Sequence, residues 1–327
     1  MKNVVVIGGG TGTFTVLSGL KKYPVKLKAI VSMADSGGST GRLRDELGVL
    51  PPGDVRQCLV ALSQAPRLRD LFNYRFRSGS LSGHNFGNLF LAALEKLTGN
   101  FQQAVLEASK ILNIKGEVIA VTTDKVNLCA KLEDGKVIFG ESNIDRAFGF
   151  SGKLKIKKAY LKPQGKITLK ARKAIITANA IILGPGDLYT SIIPNLLVAG
   201  VCNAIKKSKA KKIYICNLMT KFGETHGFNV SNYVLTLEKY LGKNVLNFVL
   251  YNTKKPAKPI LDHYKKEKEF FVEIDPENFP SNIKFIGKNF LNKEIVQRCQ
   301  GVSVSHLVRH NPDKLAETIL KIIKKYP

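Results

Sequence analysis

The sequence predicts an α/β fold: a mostly parallel sheet with helices on both faces and a small antiparallel β insert. Three observations predict it. The chain opens on a short, continuous, largely β-branched run, Val4-Val5-Val6-Ile7, which reads as a strand buried on both faces. That run passes directly into a glycine loop, Gly8-Gly9-Gly10-Thr11-Gly12-Thr13, and then into a helical pattern. The same sequence of buried strand, glycine loop and helix returns at Ala180–Leu183 and Gly184-Pro185-Gly186-Asp187.

The first helix is expected over Thr11–Lys22, with Phe14, Leu17 and Leu20 on one face and Pro24 as a stop. Lys26–Met33 reads as the second strand, Asp35–Gly41 as loop and Arg42–Leu47 as one helical turn. Pro51-Pro52-Gly53-Asp54 is a turn, with Asp54 the expected N-cap of a helix over Val55–Ser63. Further helices are expected over Leu68–Phe76, Phe86–Leu97 and Phe101–Leu112.

The pattern then shortens to strands: Glu117–Thr123, Asn127–Leu132, Lys136–Phe139 and Lys153–Leu161, with Asp134-Gly135 as a hairpin signal. Residues 116–170 therefore read as a β-rich, antiparallel insert or sheet extension within a single domain spanning 1–327. From Lys170 the α/β rhythm resumes. A helix to Ala178 leads to the strand Ala180–Leu183, a long helix Leu188–Lys206 and the strand Lys212–Cys216. Then come the helix Ser231–Leu241, the strand Val245–Tyr251 and the helix Pro259–Lys268. The last helix, Pro312–Lys325, has Leu315, Ile319, Ile322 and Ile323 on one face and Pro312 in its first turn.

Composition narrows the function classes. Hydrophobic content of 44% and charged content of 23% are ordinary for a globular chain, and no apolar run is long enough to span a membrane. A chain that starts on a strand is expected to carry no signal peptide. Its five scattered cysteines, with no CxxC pair, are expected to be buried reduced thiols of a cytoplasmic protein. The formal charge is +26, yet only 11 of the 51 basic residues are Arg, and the lysines are spread rather than gathered. Nucleic acid is therefore not the expected partner; the charge raises affinity for small anions instead. A homo-oligomer is compatible with the sequence.

Three strand-end loops carry the candidate chemistry. Gly8, Gly10 and Gly12 let backbone turn and approach a phosphate, and Thr11 and Thr13 add hydroxyl donors; a tight structural turn is the alternative. No Lys-Ser/Thr follows, so this is not a Walker loop. Asp35 stands where a ribose-binding acid would fall, but Ser36, Gly37, Ser39, Thr40 and Arg42 after it make a second anion-cradling loop. Asp35 is then a ribose ligand, a metal-linked carboxylate or a loop cap. Gly186 and Asp187 form the third loop. Asp35 and Asp187 are the candidate pair for one Mg²⁺, which takes few protein ligands; a plain N-cap is the alternative for Asp187. Arg56 is expected to clamp a phosphate, and Asn85, Asn88 and Asn217 to read base or sugar. His84 has no second histidine at metal-ligand spacing.

Taken in order, these loops resemble a known family. The motifs are GGGTG at 8–12, ADSGGSTGRLR at 34–44, LPPGDVRQCL at 50–59, GHNFGNLFL at 83–91, GPGDLYTSIIPNLL at 184–197 and NLMTKFGETHGF at 217–228. They resemble the bacterial gluconeogenesis-factor family (YvcK-like proteins), related to the CofD-like 2-phospho-L-lactate transferases. The resemblance covers nearly the whole chain and implies a Rossmann-like fold with a nucleotide site at the strand ends. It implies a cytoplasmic, UDP-sugar-binding regulator needed for cell shape and gluconeogenic growth. The transferase branch implies a Mg²⁺-dependent enzyme acting on a nucleotide-activated acid, its metal held by acids that match Asp35 and Asp187. The GGGTG form of the first loop matches the regulatory branch. An NAD-linked dehydrogenase is a third reading, opposed by the absence of an evident acid/base pair.

Overall fold

The computed structural model describes residues 1–146, 154–292 and 308–325. Lys153 and Cys299 lie outside them. Among these residues seven strands form one sheet in the order β10-β9-β8-β7-β1-β2-β3. They are β1 (Lys2–Gly8), β2 (Val25–Val31), β3 (Glu117–Ala120), β7 (Ala180–Leu183), β8 (Lys211–Ile215), β9 (Phe248–Asn252) and β10 (Lys284–Lys288). Every pairing in this sheet is parallel.

A parallel sheet must be covered on both faces, and the alternation of β1 shows how. Val5 and Ile7 enter one core with the helices Leu169–Ile176 and Val230–Leu241. Val4 and Val6 enter the other, with α1 (Gly10–Leu20), α3 (Gly53–Leu62) and the C-terminal helix Pro312–Lys325. The remaining helices of that first half are α2 (Gly38–Leu47), α4 (Pro66–Asn73), α5 (Phe86–Thr98) and α6 (Phe101–Ile111), followed by the short helix Glu141–Asp145.

The strand order reverses at β1. From β1 the chain winds outward through β2 and β3, then returns to β7 on the other side and winds out to β10. The loops after β1 and β7 therefore diverge to opposite faces and leave a crevice at their carboxyl ends.

The insert differs from its expectation in one strand. β3 is parallel and belongs to the main sheet, paired to β2 from Lys28↔Glu117 to Val31↔Ala120. Only β4 (Asn127–Leu132), β5 (Val137–Phe139) and β6 (Ile156–Lys162) form the separate antiparallel sheet, in the order β5-β4-β6. Two helices also differ. α2 starts at Gly38, so half of the expected loop is helical. The long helix expected over 188–206 is three pieces: a π-helical turn Leu188–Ile192, then Ile193–Leu197 and Val201–Lys207. Pro194 at the start of the second piece and the left-handed Gly200 (φ +97°) before the third prevent one continuous hydrogen-bond ladder. Among the described residues no helix is long and apolar enough to cross a membrane.

Candidate functional site

Helices α1, α2 and α3 bring their N-termini together beside the end of β1, and two carboxyls lie among them. The Gly10 amide donates to Asp54 Oδ1 at 2.8 Å, and the Gly37 amide donates to Asp35 Oδ1 at 2.8 Å. An added Cβ on Gly9 would sit 2.0 Å from Asp54 Oδ2, and one on Gly53 would sit 2.6 Å from Asp35 Oδ2. Both acids thus lie flat on backbone at helix starts, where the exposed amides and the helix dipole favour negative charge. Asp54 is not the cap of its own helix, as its spacing had implied. Pro52 holds that position, and the Asp54 side chain reaches across to α1.

Burial opposes these charges. Desolvation first, and Asp35 second, push the Asp54 carboxyl up to about 7, while the Gly10 amide pulls it down. Burial also raises Asp35, against its bonds to Gly37, Thr40 and Glu141. Glu141 comes from the insert, in the short helix Glu141–Asp145, and burial followed by Asp35 pushes it up to about 9. The insert is pinned there: the Ser36 amide donates to Glu141 Oε2 at 3.4 Å, and the Ser142 amide donates to Ser36 Oγ at 3.1 Å. Three carboxyls in one desolvated corner titrate as a group and carry fewer than three charges at neutral pH.

A second acidic corner forms at the end of β7. The turn Gly184-Pro185-Gly186-Asp187 folds onto the first turn of α1 so closely that a Cβ on Gly12 would lie 2.1 Å from the Pro185 carbonyl oxygen. The π turn follows, with the Ser191 and Ile192 amides donating to the Asp187 carbonyl at 2.9 and 3.1 Å. Carboxylate oxygens of Asp145, Asp187 and Glu224 lie within 4.8 Å of one another. Lys221 Nζ stands 3.1 Å from Asp145 Oδ1 and 3.9 Å from Asp187 Oδ2. Burial works to lower the Lys221 pKa, but Asp187, Asp145, Glu224 and Glu269 outweigh it and raise it. Glu224 is buried, accepts from the Tyr189 amide and the Thr190 hydroxyl at 3.2 Å each, and is pushed up to about 8 by burial and then by Asp187.

Beside this corner lies a cleft of about 750 Å³ of atom-free space, part of it continuous with solvent. Thr11, Gly12 and Thr15 of α1 form one wall, Gly186 and Asp187 another, and Asn217–Lys221 its base. Tyr264, Glu269 and residues 308–310 close the far side.

The structure sorts the candidate residues into three sets. Thr11, Gly12, Gly186, Asp187 and Asn217 line the cleft. Gly8, Gly10, Asp35, Ser36, Gly37 and Thr40 build the corner at the helix starts, and Thr13 is wholly buried with its hydroxyl unpaired. The rest are engaged in the fold. Arg56, expected on a phosphate, is 8% exposed; its Nε donates to Asn88 Oδ1 at 3.0 Å and its Nη1 to Asn73 Oδ1 at 2.7 Å. Asn85 caps α5, accepting from the Asn88 amide at 3.3 Å, and Asn88 also donates to Ser39 Oγ. Ser39 Oγ meets His84 Nδ1 at 3.2 Å, and Arg42 Nη2 donates to the Ser82 carbonyl at 3.0 Å. Asp35 falls outside the three-carboxylate group, so the acids that gather with Asp187 are Asp145 and Glu224.

Sequence reasoning missed Glu141, Asp145, Lys221 and His310. Glu141 and Asp145 follow a hairpin, with no local motif. Lys221 and Glu224 sit in the 217–228 motif, whose strand-end position was the available signal.

The chain matches known proteins along nearly its whole length. The family described as 2-phospho-L-lactate transferase CofD matches residues 4–291. A Thermotoga maritima protein is 48% identical over 98% of both chains. A Bacillus subtilis protein named gluconeogenesis factor is 40% identical, again over 98% of both chains. A crystal structure of a Bacillus halodurans protein superposes with a TM-score of 0.90 at 42% identity, covering 98% of this chain and 99% of that one. The fold, the ordered motifs and these matches agree: the chain belongs to the CofD family, among the relatives named gluconeogenesis factors.

Proposed function

We propose that this protein is a gluconeogenesis factor that works by binding a nucleotide sugar, a UDP-sugar above all, in the cleft between the β1 and β7 loops. Bound ligand would report the state of carbon metabolism to the machinery that sets cell shape. The observation that carries this reading is that the glycine-led start of α1 and the Lys221 ammonium open on one cleft at the reversal of strand order. The positive end of a helix and a nearby fixed cation suit a diphosphate. The cleft opens to solvent, and a binding role requires no acid/base pair. A thermal-shift screen of nucleotides and nucleotide sugars tests it. A ligand present at about 100 times its Kd stabilises the fold by roughly 2.7 kcal/mol. Absence of any shift with uridine or guanosine nucleotides at millimolar concentration overturns the reading.

A second reading, a Mg²⁺-dependent transferase, is favoured by one observation. Asp145, Asp187 and Glu224 are hard oxygen donors grouped within 4.8 Å, which fits a magnesium ion. These three residues would hold it, and the ion would supply charge neutralisation at phosphoryl oxygens. Lys221 would then orient the ligand beside the ion. Asp187→Asn that abolishes a metal-dependent transfer, with nucleotide binding retained, supports this reading over the first.

A further inference from the structure

Among the described residues, the lining of the cleft carries three buried polar atoms without hydrogen-bond partners: the donor Arg309 Nε and two that can accept, His310 Nε2 and Asn217 Oδ1. Of the two acceptors, His310 is only 7% exposed. Such orphan groups are rare in folded proteins and call for a partner that the chain alone does not supply. The segment that presents His310 is fixed on two sides. The Val308 amide donates to the Tyr264 hydroxyl at 3.1 Å, and His310 bridges to Leu291 in antiparallel register.

The protonation state of the ring follows from its surroundings. Burial pulls His310 down to about 4, so the imidazole is neutral at physiological pH. Its one other influence, a hydrogen bond to the Cys216 backbone, favours the protonated ring, as a carbonyl acceptor does. Nε2 makes no hydrogen bond, so the ring proton sits on Nδ1 and Nε2 presents a lone pair. Asn217, the residue after Cys216, adds an amide oxygen from the same stretch of backbone.

We propose that His310 is the base-selecting residue of the cleft, its Nε2 accepting the ring N–H of an imide or lactam base. This rests on the nucleotide reading above and deepens it. Uracil carries that hydrogen at N3 and guanine at N1. Cytosine and adenine present a bare lone pair at the corresponding ring nitrogen, which would face the lone pair of Nε2. Asn217 Oδ1 takes a second donor where one is present, as on the exocyclic amine of guanine. The selection is independent of pH across the physiological range because the ring does not titrate there.

Calorimetric titration of the full chain with UDP, CDP, GDP and ADP tests it. UDP or GDP should bind about tenfold or more tightly than CDP and ADP, with the same ratio at pH 6 and pH 8. The UDP and GDP arms identify which base the wall takes. His310→Asn keeps a donor toward Cys216 and loses the Nε2 acceptor, so the preferred base should fall to the level of the others. His310→Gln, whose amide reaches the Nε2 position, should keep part of the preference. Equal binding of all four by the wild type, or a preference that survives His310→Asn, overturns the assignment while leaving the nucleotide reading standing. Failure of the wild type to bind any of the four overturns both. Melting of each unliganded variant separates lost selection from lost fold.

Discussion

The Asp54 carboxylate accepts the Gly10 amide at 2.8 Å across 44 residues of sequence, and that bond ties the start of α3 to the start of α1. Asp35 makes the corresponding bond to Gly37 at the start of α2. Two acids that repel each other are thus held at the positive ends of helices, the arrangement that makes their close approach tolerable. The acceptance has a pH dependence. Asp54 is pushed up to about 7, Glu141 to about 9 and Glu224 to about 8, each mainly by burial.

A carboxyl whose pKa is higher in the fold than in the unfolded chain holds more protons when folded, so stability falls as pH rises between the two values. For Asp54 that window runs from 3.8 to about 7, and for Glu141 from 4.5 to about 9. The melting temperature should therefore drop from pH 5 to pH 9. Glu141→Gln should flatten the upper part of the fall and Asp54→Asn the lower part, the latter keeping an acceptor for Gly10. Melting curves of the three proteins at pH 5, 7 and 9 decide it, and parallel slopes would count against the shared-proton corner.

Gly12→Ala should be severe for a reason that a helix-propensity argument misses. Alanine is the better helix former, yet here its Cβ would meet the Pro185 carbonyl oxygen at 2.1 Å. That oxygen is backbone, fixed between β7 and the π turn, so α1 and the β7 loop must separate. Overpacking of this kind costs about 1–3 kcal/mol. Urea denaturation should show that loss, with nucleotide affinity falling too as the cleft wall moves. Gly10→Ala, whose added Cβ meets only Ser191 Oγ at 3.9 Å, separates backbone strain at φ +63° from collision.

Much of this was legible in the chain. The β-branched run at 4–7, the glycines after it and the repeat of that pattern at 180–187 predicted the switch-point crevice and its lining by Gly12 and Asp187. What was not legible depends on long-range geometry. Nothing local marks Glu141 or Asp145 as members of a strand-end site, because a separate antiparallel sheet carries them there. Asp54 looked like a cap because its own helix followed; its real partner lies 44 residues upstream. Arg56, Asn85 and Asn88 carry the right chemistry for a ligand, but a polar side chain that holds two helices together reads identically in sequence.

Arg56→Ala should lower stability rather than ligand affinity. The guanidinium joins α3 to Asn88 of α5 and Asn73 of α4, and truncation leaves both amides without their donor. Loss of hydrogen bonds to a charged group costs about 1.5–3 kcal/mol each. Arg56→Lys should recover little, because an ammonium lacks the planar fork that serves two partners. Chemical denaturation should show both variants weakened, while calorimetry on the folded fraction should find nucleotide affinity within about twofold of wild type. A selective loss of affinity with full stability would return Arg56 to the binding site.

Lys221→Met tests the charge balance of the second corner. Its ammonium lies 3.1 Å from Asp145 and 3.9 Å from Asp187, with Glu224 in the same group, so it is the internal counter-ion of these carboxyls. Its side chain is 20% exposed, and solvent screens part of the loss. The variant should therefore lose less than the roughly 3–5 kcal/mol of a fully buried pair. Two further outcomes follow from the same geometry. Divalent cations should stabilise Lys221→Met more than wild type, because the carboxylates are left to the metal alone. Nucleotide diphosphate affinity measured without metal should drop about tenfold, the equivalent of one charge-assisted hydrogen bond. Thermal shifts with and without Mg²⁺, on both proteins and on Asp145→Asn as a control, read all three. If Mg²⁺ moves the two melting temperatures equally and affinity is unchanged, Lys221 neutralises nothing that the ligand or a metal would meet.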